Sequence, residues 1–194
     1  MSVYHGHSGL PEAARGAVLA LGNFDGVHRG HAAVIARARD LAASLDRKPG
    51  AAVFSPHPRL FFQPGADPFA LMNEAQRVRA LQAEGAEIIH HIVFDQVLSQ
   101  MSPEAFVDEV LHLGLGAAGI VTGADFCFGK GRAGTAGDLK RLCQARAIRC
   151  VIAEAVSAEG AQAKISSSDV RAALRGGDPV SAAALLGRPF AIEG

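Results

Sequence analysis

The stretch Ala17–His31, AVLALGNFDGVHRGH, decides the fold. Its first half, Ala17–Phe24, is a short apolar run ending in turn residues, which reads as a strand buried on both faces. Beyond it, Gly30–Leu45 sets Ala33, Val34, Ala38, Leu41 and Leu45 at helical spacing, with Arg37, Arg39 and Asp40 on the other faces. The same alternation recurs outward from here. Ala51–Phe54 reads as a strand stopped by Ser55-Pro56-His57-Pro58, because proline cannot donate to a ladder. A helix over Glu74–Glu84 leads to a strand at Glu87–Phe94, and Ser102 with Pro103 opens another helix. A strand at Ala117–Thr122, a helix at Ala136–Arg146 and a strand at Ile148–Glu154 follow. Ser166 or Ser167 caps a helix to Leu174, and Pro179 starts the last one, through Leu186. Four strand–helix alternations predict an α/β fold, a doubly wound parallel sheet covered on both faces.

Composition narrows the class of function. The 194 residues carry 19 Lys+Arg against 19 Asp+Glu, and 49% are apolar. This suits one large domain with a real core. Zero net charge argues against a protein built to grip nucleic acid or an anionic membrane. No run approaches the roughly 20 apolar residues of a membrane span, and the first residues lack a secretory pattern. Three cysteines, Cys127, Cys143 and Cys150, are odd in number and lack metal-ligand spacing, so a cytoplasmic setting is expected.

In this architecture ligands bind beyond the carboxyl ends of the strands. There lie Gly22–His31, Ser55–Arg59, the stretch after Phe94, the five-glycine loop Gly123–Gly137, and Ser157–Ser168. Within the first, His28 and His31 have i, i+3 spacing at a helix start, the positive end that favours anions. Gly30 between them leaves room for a close approach. With Gly22 and Gly26 in the turn, the pattern reads as a nucleoside-triphosphate cradle. In the last, Ser166, Ser167 and Ser168 offer hydroxyl and amide donors, or simply a generous N-cap, and Arg171 offers a fork for phosphate. The two motifs, at opposite ends of the chain, are expected to converge on one triphosphate.

GNFDGVHRGH, the PHP of Pro56–Pro58, GADFCFGKGR at Gly123–Arg132, ISSSDVR at Ile165–Arg171 and LLGRPFAIEG at Leu185–Gly194 together resemble the prokaryotic bifunctional FAD synthetases (riboflavin kinase/FMN adenylyltransferase). The resemblance covers nearly the whole chain and implies a Rossmann-like nucleotidyltransferase domain of the HxGH type. It implies FMN + ATP giving FAD + pyrophosphate, with Mg²⁺ accompanying ATP. Residues 1–194 are then the adenylyltransferase domain, with about 1–15 an N-terminal extension and 185–194 the start of a linker. In the family a riboflavin kinase barrel follows that linker, and here the sequence ends at Gly194, so kinase activity is not carried over. The kinase is expected as a module joined to this one or separate from it. Ser168 stands where the family usually has threonine, and keeps the hydroxyl.

On this reading His28, His31 and Arg171 are catalytic. Gly22, Asn23, Phe24, Asp25, Gly26, Gly30, Ser166, Ser167 and Ser168 bind ATP. The flavin meets Phe54, Pro56, His57, Pro58, Asp125, Phe126, Phe128 and Arg132, and the Mg²⁺ ligands are left unassigned. Phe126 and Phe128, two apart on an extended stretch, should face the same way, whether toward a ring or into the core. Related readings are an adenylyl- or cytidylyltransferase with another phosphorylated acceptor, or a non-catalytic flavin- or nucleotide-binding module. Elsewhere His90 and His91 should point to opposite faces, and His5 and His7 should lie in a loose terminus, so no zinc site is read.

Overall fold

The computed structural model describes residues 2–65, 69–156 and 164–193. Strands β1 (Ser2–His5), β2 (Val18–Gly22), β3 (Pro49–Ser55), β4 (Ile88–Val93), β5 (Gly119–Gly123) and β8 (Arg149–Ala153) form one parallel sheet in the order β1-β4-β3-β2-β5-β8. After β2 the chain steps outward through β3 and β4, then returns to place β5 on the other side of β2. The β2–β5 boundary is therefore the topological switch point, the place where ligands bind in open α/β sheets. Two short strands, β6 (Cys127–Phe128) and β7 (Gly134–Thr135), make an antiparallel hairpin inside the glycine loop.

Alternate residues of each strand feed opposite cores, as the pleat requires. Leu19, Leu21, Ala52, Phe54, Ile92 and Ile120 pack on one side. There they meet the helix that begins as α5 (Pro103–Ala105), continues as a π-helix (Phe106–Gly114), and is joined by α6 (Ala136–Gln144). Val18, Ala20, Ala51, Val53, Ile89 and Val121 pack on the other, against α1 (Arg29–Ser44) and Leu81 of α3 (Glu74–Ala83). Short helices α2 (Pro58–Phe62) and α4 (Gln96–Gln100) follow β3 and β4 at the carboxyl edge. A third cluster joins α7 (Ser167–Arg175) to α8 (Pro179–Leu186) through Val170, Ala182 and Leu186, with Leu71.

The predicted strands and helices stand within two residues of their expected ends, and four features differ. The N-terminal residues, expected to be loose, form the edge strand β1, in register with β4 from Ser2–Ile88 to His5–His91. The sequence stops β3 at its prolines but gives no period for α2 or α4, each five residues long. The π-helix over Phe106–Gly114 is likewise invisible to a 3.6-residue period. Finally, the segment read as the start of a linker packs back on the domain. Arg188 Nη1 donates to the Val27 carbonyl (2.8 Å) and Gln76 Nε2 to the Ala191 carbonyl (3.1 Å).

Candidate active site

A cleft of about 980 Å³ opens at the switch point, between the loops that follow β2, β3, β4, β5 and β8. On one wall His28 caps α1: its Nδ1 accepts the His31 backbone N–H (3.3 Å). The two imidazoles stack, with centroids 3.6 Å apart and planes 17° from parallel. Gly30 permits this, because a Cβ there would lie 3.1 Å from the His28 ring and 3.3 Å from the Ile165 carbonyl. Burial pushes the pKa of His28 down to about 4, and Lys164 adds to the effect. His31 is held well below its ordinary value by burial, then by His28 and Lys164. Both rings are therefore neutral. With His28 Nδ1 an acceptor, the proton of its neutral ring sits on Nε2 and is available as a donor. His31 Nδ1 is buried without a hydrogen-bond partner among the described residues.

The opposite wall is the start of α7. Ser166 caps the helix in a reciprocal box: its Oγ accepts from the Asp169 N–H (3.3 Å) while its own backbone N–H donates to Asp169 Oδ2 (2.9 Å). Ser167 Oγ donates to the Asp25 carbonyl (2.8 Å). Arg171 Nη2 meets Asp25 Oδ2 at 2.5 Å and its Nε donates to the Phe69 carbonyl (2.7 Å). The same Asp25 carboxylate accepts the Leu71 N–H at 2.9 Å. Thus the two motifs from opposite ends of the chain are locked together through Asp25.

The third side is aromatic. Phe54 meets Phe94 edge-on at 5.9 Å and Phe106 at 6.2 Å. Phe126 and Phe128 stack at 5.7 Å, facing the same way as their spacing predicts. Phe128 also packs at 5.5 Å on Phe106, as part of the core. His57 and the guanidinium groups of Arg59 and Arg171 surround the Phe69 ring, at 5.0, 4.7 and 5.1 Å. At the far end of the loop Lys164 Nζ lies 2.5 Å from Asp125 Oδ1.

A family model described as FAD synthetase matches residues 10–169. The chain belongs to the FAD synthetase family. Curated bifunctional riboflavin kinase/FMN adenylyltransferases are similar along its length: 37% identity for that of Pseudomonas fluorescens, 32% for Bacillus subtilis and 30% for Escherichia coli K12, over 99–100% of this chain. The chain spans about three fifths of the length of these relatives (60–62%). A crystal structure described as a macrolide-efflux protein from Streptococcus pneumoniae aligns with TM-score 0.81 and 26% identity, over 98% of this chain and 63% of that one. Among the described residues of this FAD synthetase-family chain, no helix is long and apolar enough to cross a membrane.

Of the residues read from the sequence, the cleft brings together Gly22, Asn23, Phe24, Asp25, His28, Gly30 and His31 with Phe54, His57, Pro58, Asp125, Phe126, Phe128, Arg132, Ser166, Ser167 and Arg171. Three do not line it. Gly26, at φ +87°, faces the α8 side, where a Cβ would meet Leu71 Cδ1 at 2.8 Å; its role is a turn under tight packing. Pro56 is exposed at the end of β3, and Ser168 is exposed one position past the cleft-facing side of α7. Others line the cleft with their side chains already committed, the Asp25 carboxylate among them. Phe24 is fully buried against His31, and Ser166, Ser167 and Arg171 are tied as described above. The sequence did not single out Lys164, Phe62, Phe69 or Phe94. Lys164 opens the stretch Lys164–Arg171 that the sequence marked, but it was given no role there, because an isolated lysine carries no pattern of its own. Ser157 to Ala163 of the expected fifth segment lie outside the described residues.

Proposed function

We propose that this cleft transfers the adenylyl group of ATP to FMN, giving FAD and pyrophosphate. One observation carries the reading: a stacked, neutral histidine pair at the start of α1 faces the same cleft as the start of α7, in a volume large enough for two nucleotides. A phosphate-monoester oxygen of FMN attacks the α-phosphorus, the bond from that phosphorus to the bridging oxygen breaks, and pyrophosphate leaves. The attacking phosphate is already ionised near neutral pH, so no general base is required. The chain's task is alignment and the neutralising of charge developing on the transferred group. His28 Nε2–H and His31 donate to the triphosphate, and Lys164 adds positive charge beside them. Arg171 holds its phosphate-facing wall through Asp25 and offers its remaining Nη1 to the anion.

Mg²⁺ belongs to the proposal with ATP. Asn23 Oδ1, buried in the cleft without a hydrogen-bond partner among the described residues, is the hard oxygen that fits it. Bound there, the ion would supply charge neutralisation along the phosphates. On the flavin side, the Phe54–Phe94 cluster, exposed Phe62 and the Phe126 face supply apolar surface for an isoalloxazine ring. Asp125 and Arg132 lie at that end of the cleft.

The whole chain is read as one adenylyltransferase unit acting in the cytoplasm, where free Cys127, Cys143 and Cys150 persist. A riboflavin kinase module, joined or separate, would supply its FMN. The deciding experiment incubates the purified chain with ATP and Mg²⁺, plus FMN in one tube and riboflavin in the other, then separates the flavins chromatographically. FAD with stoichiometric pyrophosphate in the first tube and no FMN in the second is the expected result. Bound FMN and ATP with no pyrophosphate released would leave a binding module in place of an enzyme.

A further inference from the structure

The outer edge of the sheet gathers three donors that adenylyl transfer does not use. Parallel pairing of β1 with β4 sets His5 directly beside His91. In-register residues share a face, and the two imidazoles lie with centroids 5.0 Å apart at 41°. Val53 of β3 pairs with His91 in turn and packs toward α1 and α3. Glu74, the first residue of α3, therefore comes in over the histidines, its Oε1 3.2 Å from His91 Nδ1. Ser55 Oγ donates to the other carboxylate oxygen at 3.1 Å, fixing its direction. The donor atoms of His5, Glu74 and His91 all fall within 4.8 Å of one another.

His91 makes the cluster more than a chance meeting. It is 1% exposed, and neither ring nitrogen has a hydrogen-bond partner among the described residues, with Glu74 Oε1 standing 3.2 Å from Nδ1. Buried ring nitrogens left unpaired are costly. In a tetrahedral shell with donors about 2.0–2.1 Å from the ion, neighbouring donors stand about 3.3 Å apart. That matches the Nδ1–Oε1 separation, and the exposed His5 side chain needs to close by no more than about 1.5 Å to complete the set.

We propose that His5, Glu74 and His91 form a site for a divalent transition metal of the zinc type, with a remaining position open to water. Two imidazoles and one carboxylate suit Zn²⁺, Co²⁺ or Ni²⁺, whereas Mg²⁺ and Ca²⁺ prefer oxygen shells. Ser55 is the outer partner that orients the carboxylate. The cation one turn along, Arg77, sends Nη1 to the Asn23 carbonyl (3.4 Å). The ion would clip edge strand β1 to β4 and to α3, the helix that carries this link to the nucleotide loop. The sequence hides the site because neither His5 with His7 nor His90 with His91 makes it: one member comes from each pair.

The test uses the full chain, free of any affinity tag and stripped by a chelator, titrated with Co²⁺ and then Zn²⁺. The expected result is visible d–d absorption at one Co²⁺ per chain, displaced by Zn²⁺, and a melting temperature raised by the metal. His5→Ala and Glu74→Gln, both at exposed positions, should each weaken binding at least about 10-fold, the scale of losing even an outer partner. Their melting in chelator should match that of the parent, so a folding defect is read separately. His31→Ala, which leaves the edge intact, should keep the cobalt bands. No Co²⁺ uptake, uptake unchanged in both edge variants, or loss in His31→Ala would overturn the site. None of these results depends on FAD formation.

Discussion

Asp25 and Arg171, 146 positions apart in sequence, touch at 2.5 Å with side chains only 7% and 15% exposed. The pair closes the loop after β2 onto α7, so the cradle exists only when both ends of the chain have folded. Removing one partner of a buried pair strands the other charge and costs about 3–5 kcal/mol. Asp25→Asn and Arg171→Gln should each destabilise on this scale, measured by urea denaturation. The double variant should lose clearly less than the sum, because the stranded charge is gone. Additive losses would mean that the two residues act separately.

The histidine pair makes the sharpest kinetic prediction. A donor aimed at charge that develops only in the transition state is worth about 100-fold or more in kcat. His31→Ala should lower kcat for FAD formation on this scale while changing the ATP KM far less. Pyrophosphate release under saturating FMN and ATP checks it; a variant within a few fold of the parent would remove His31 from the chemistry.

The alternation of apolar runs with helical periods made the sheet and its main helices legible, because both signals are local. The convergence of GNFDGVHRGH with ISSSDVR was legible as well, since each motif sits at a strand's carboxyl end. What each side chain does was less so. The cap at Ser166 was readable as one of two roles, but Gly26 is a packing glycine and Phe24 a buried ring. A motif fixes residue types, whereas the third dimension decides whether a hydroxyl points at a backbone or at a ligand. Strand β1 escaped because four residues at an edge carry no period, and with it escaped the meeting of His5 and His91.

The aromatic wall separates ligand contact from core. Phe62 is 61% exposed at the cleft, whereas Phe128 is 6% exposed and packed on Phe106. Phe62→Ala should raise the FMN KM roughly 10-fold, the order expected for losing one aromatic stacking partner, with stability intact. Phe128→Ala should cost about 3–5 kcal/mol of stability through the cavity it leaves. Flavin fluorescence titration and denaturation together check both. A stability loss at Phe62 with no change in FMN binding would move the flavin elsewhere in the cleft.

The buried imidazoles should make the fold acid-sensitive in a defined window. Burial pushes His28 and His90 down to about 4 from an ordinary 6.5, and lowers His31, His57 and His91 as well. Between pH 6.5 and 4 the unfolded chain therefore holds more protons than the native one, so stability rises with pH across that range. The contribution is fully present above 6.5 and is lost as the pH falls toward 4; His28 and His90 each supply on the order of 3 kcal/mol of it. The lowered carboxylates of Asp108 and Asp125 act only below their ordinary 3.8, outside this window. Urea midpoints taken stepwise from pH 7.5 to 5 should hold nearly level to about 6.5 and then fall steadily. ATP should soften the fall, because a polyphosphate beside His28 and His31 favours their protonated forms in the native state. A flat profile, or an ATP effect that vanishes as the pH drops, would mean that these rings do not face the triphosphate.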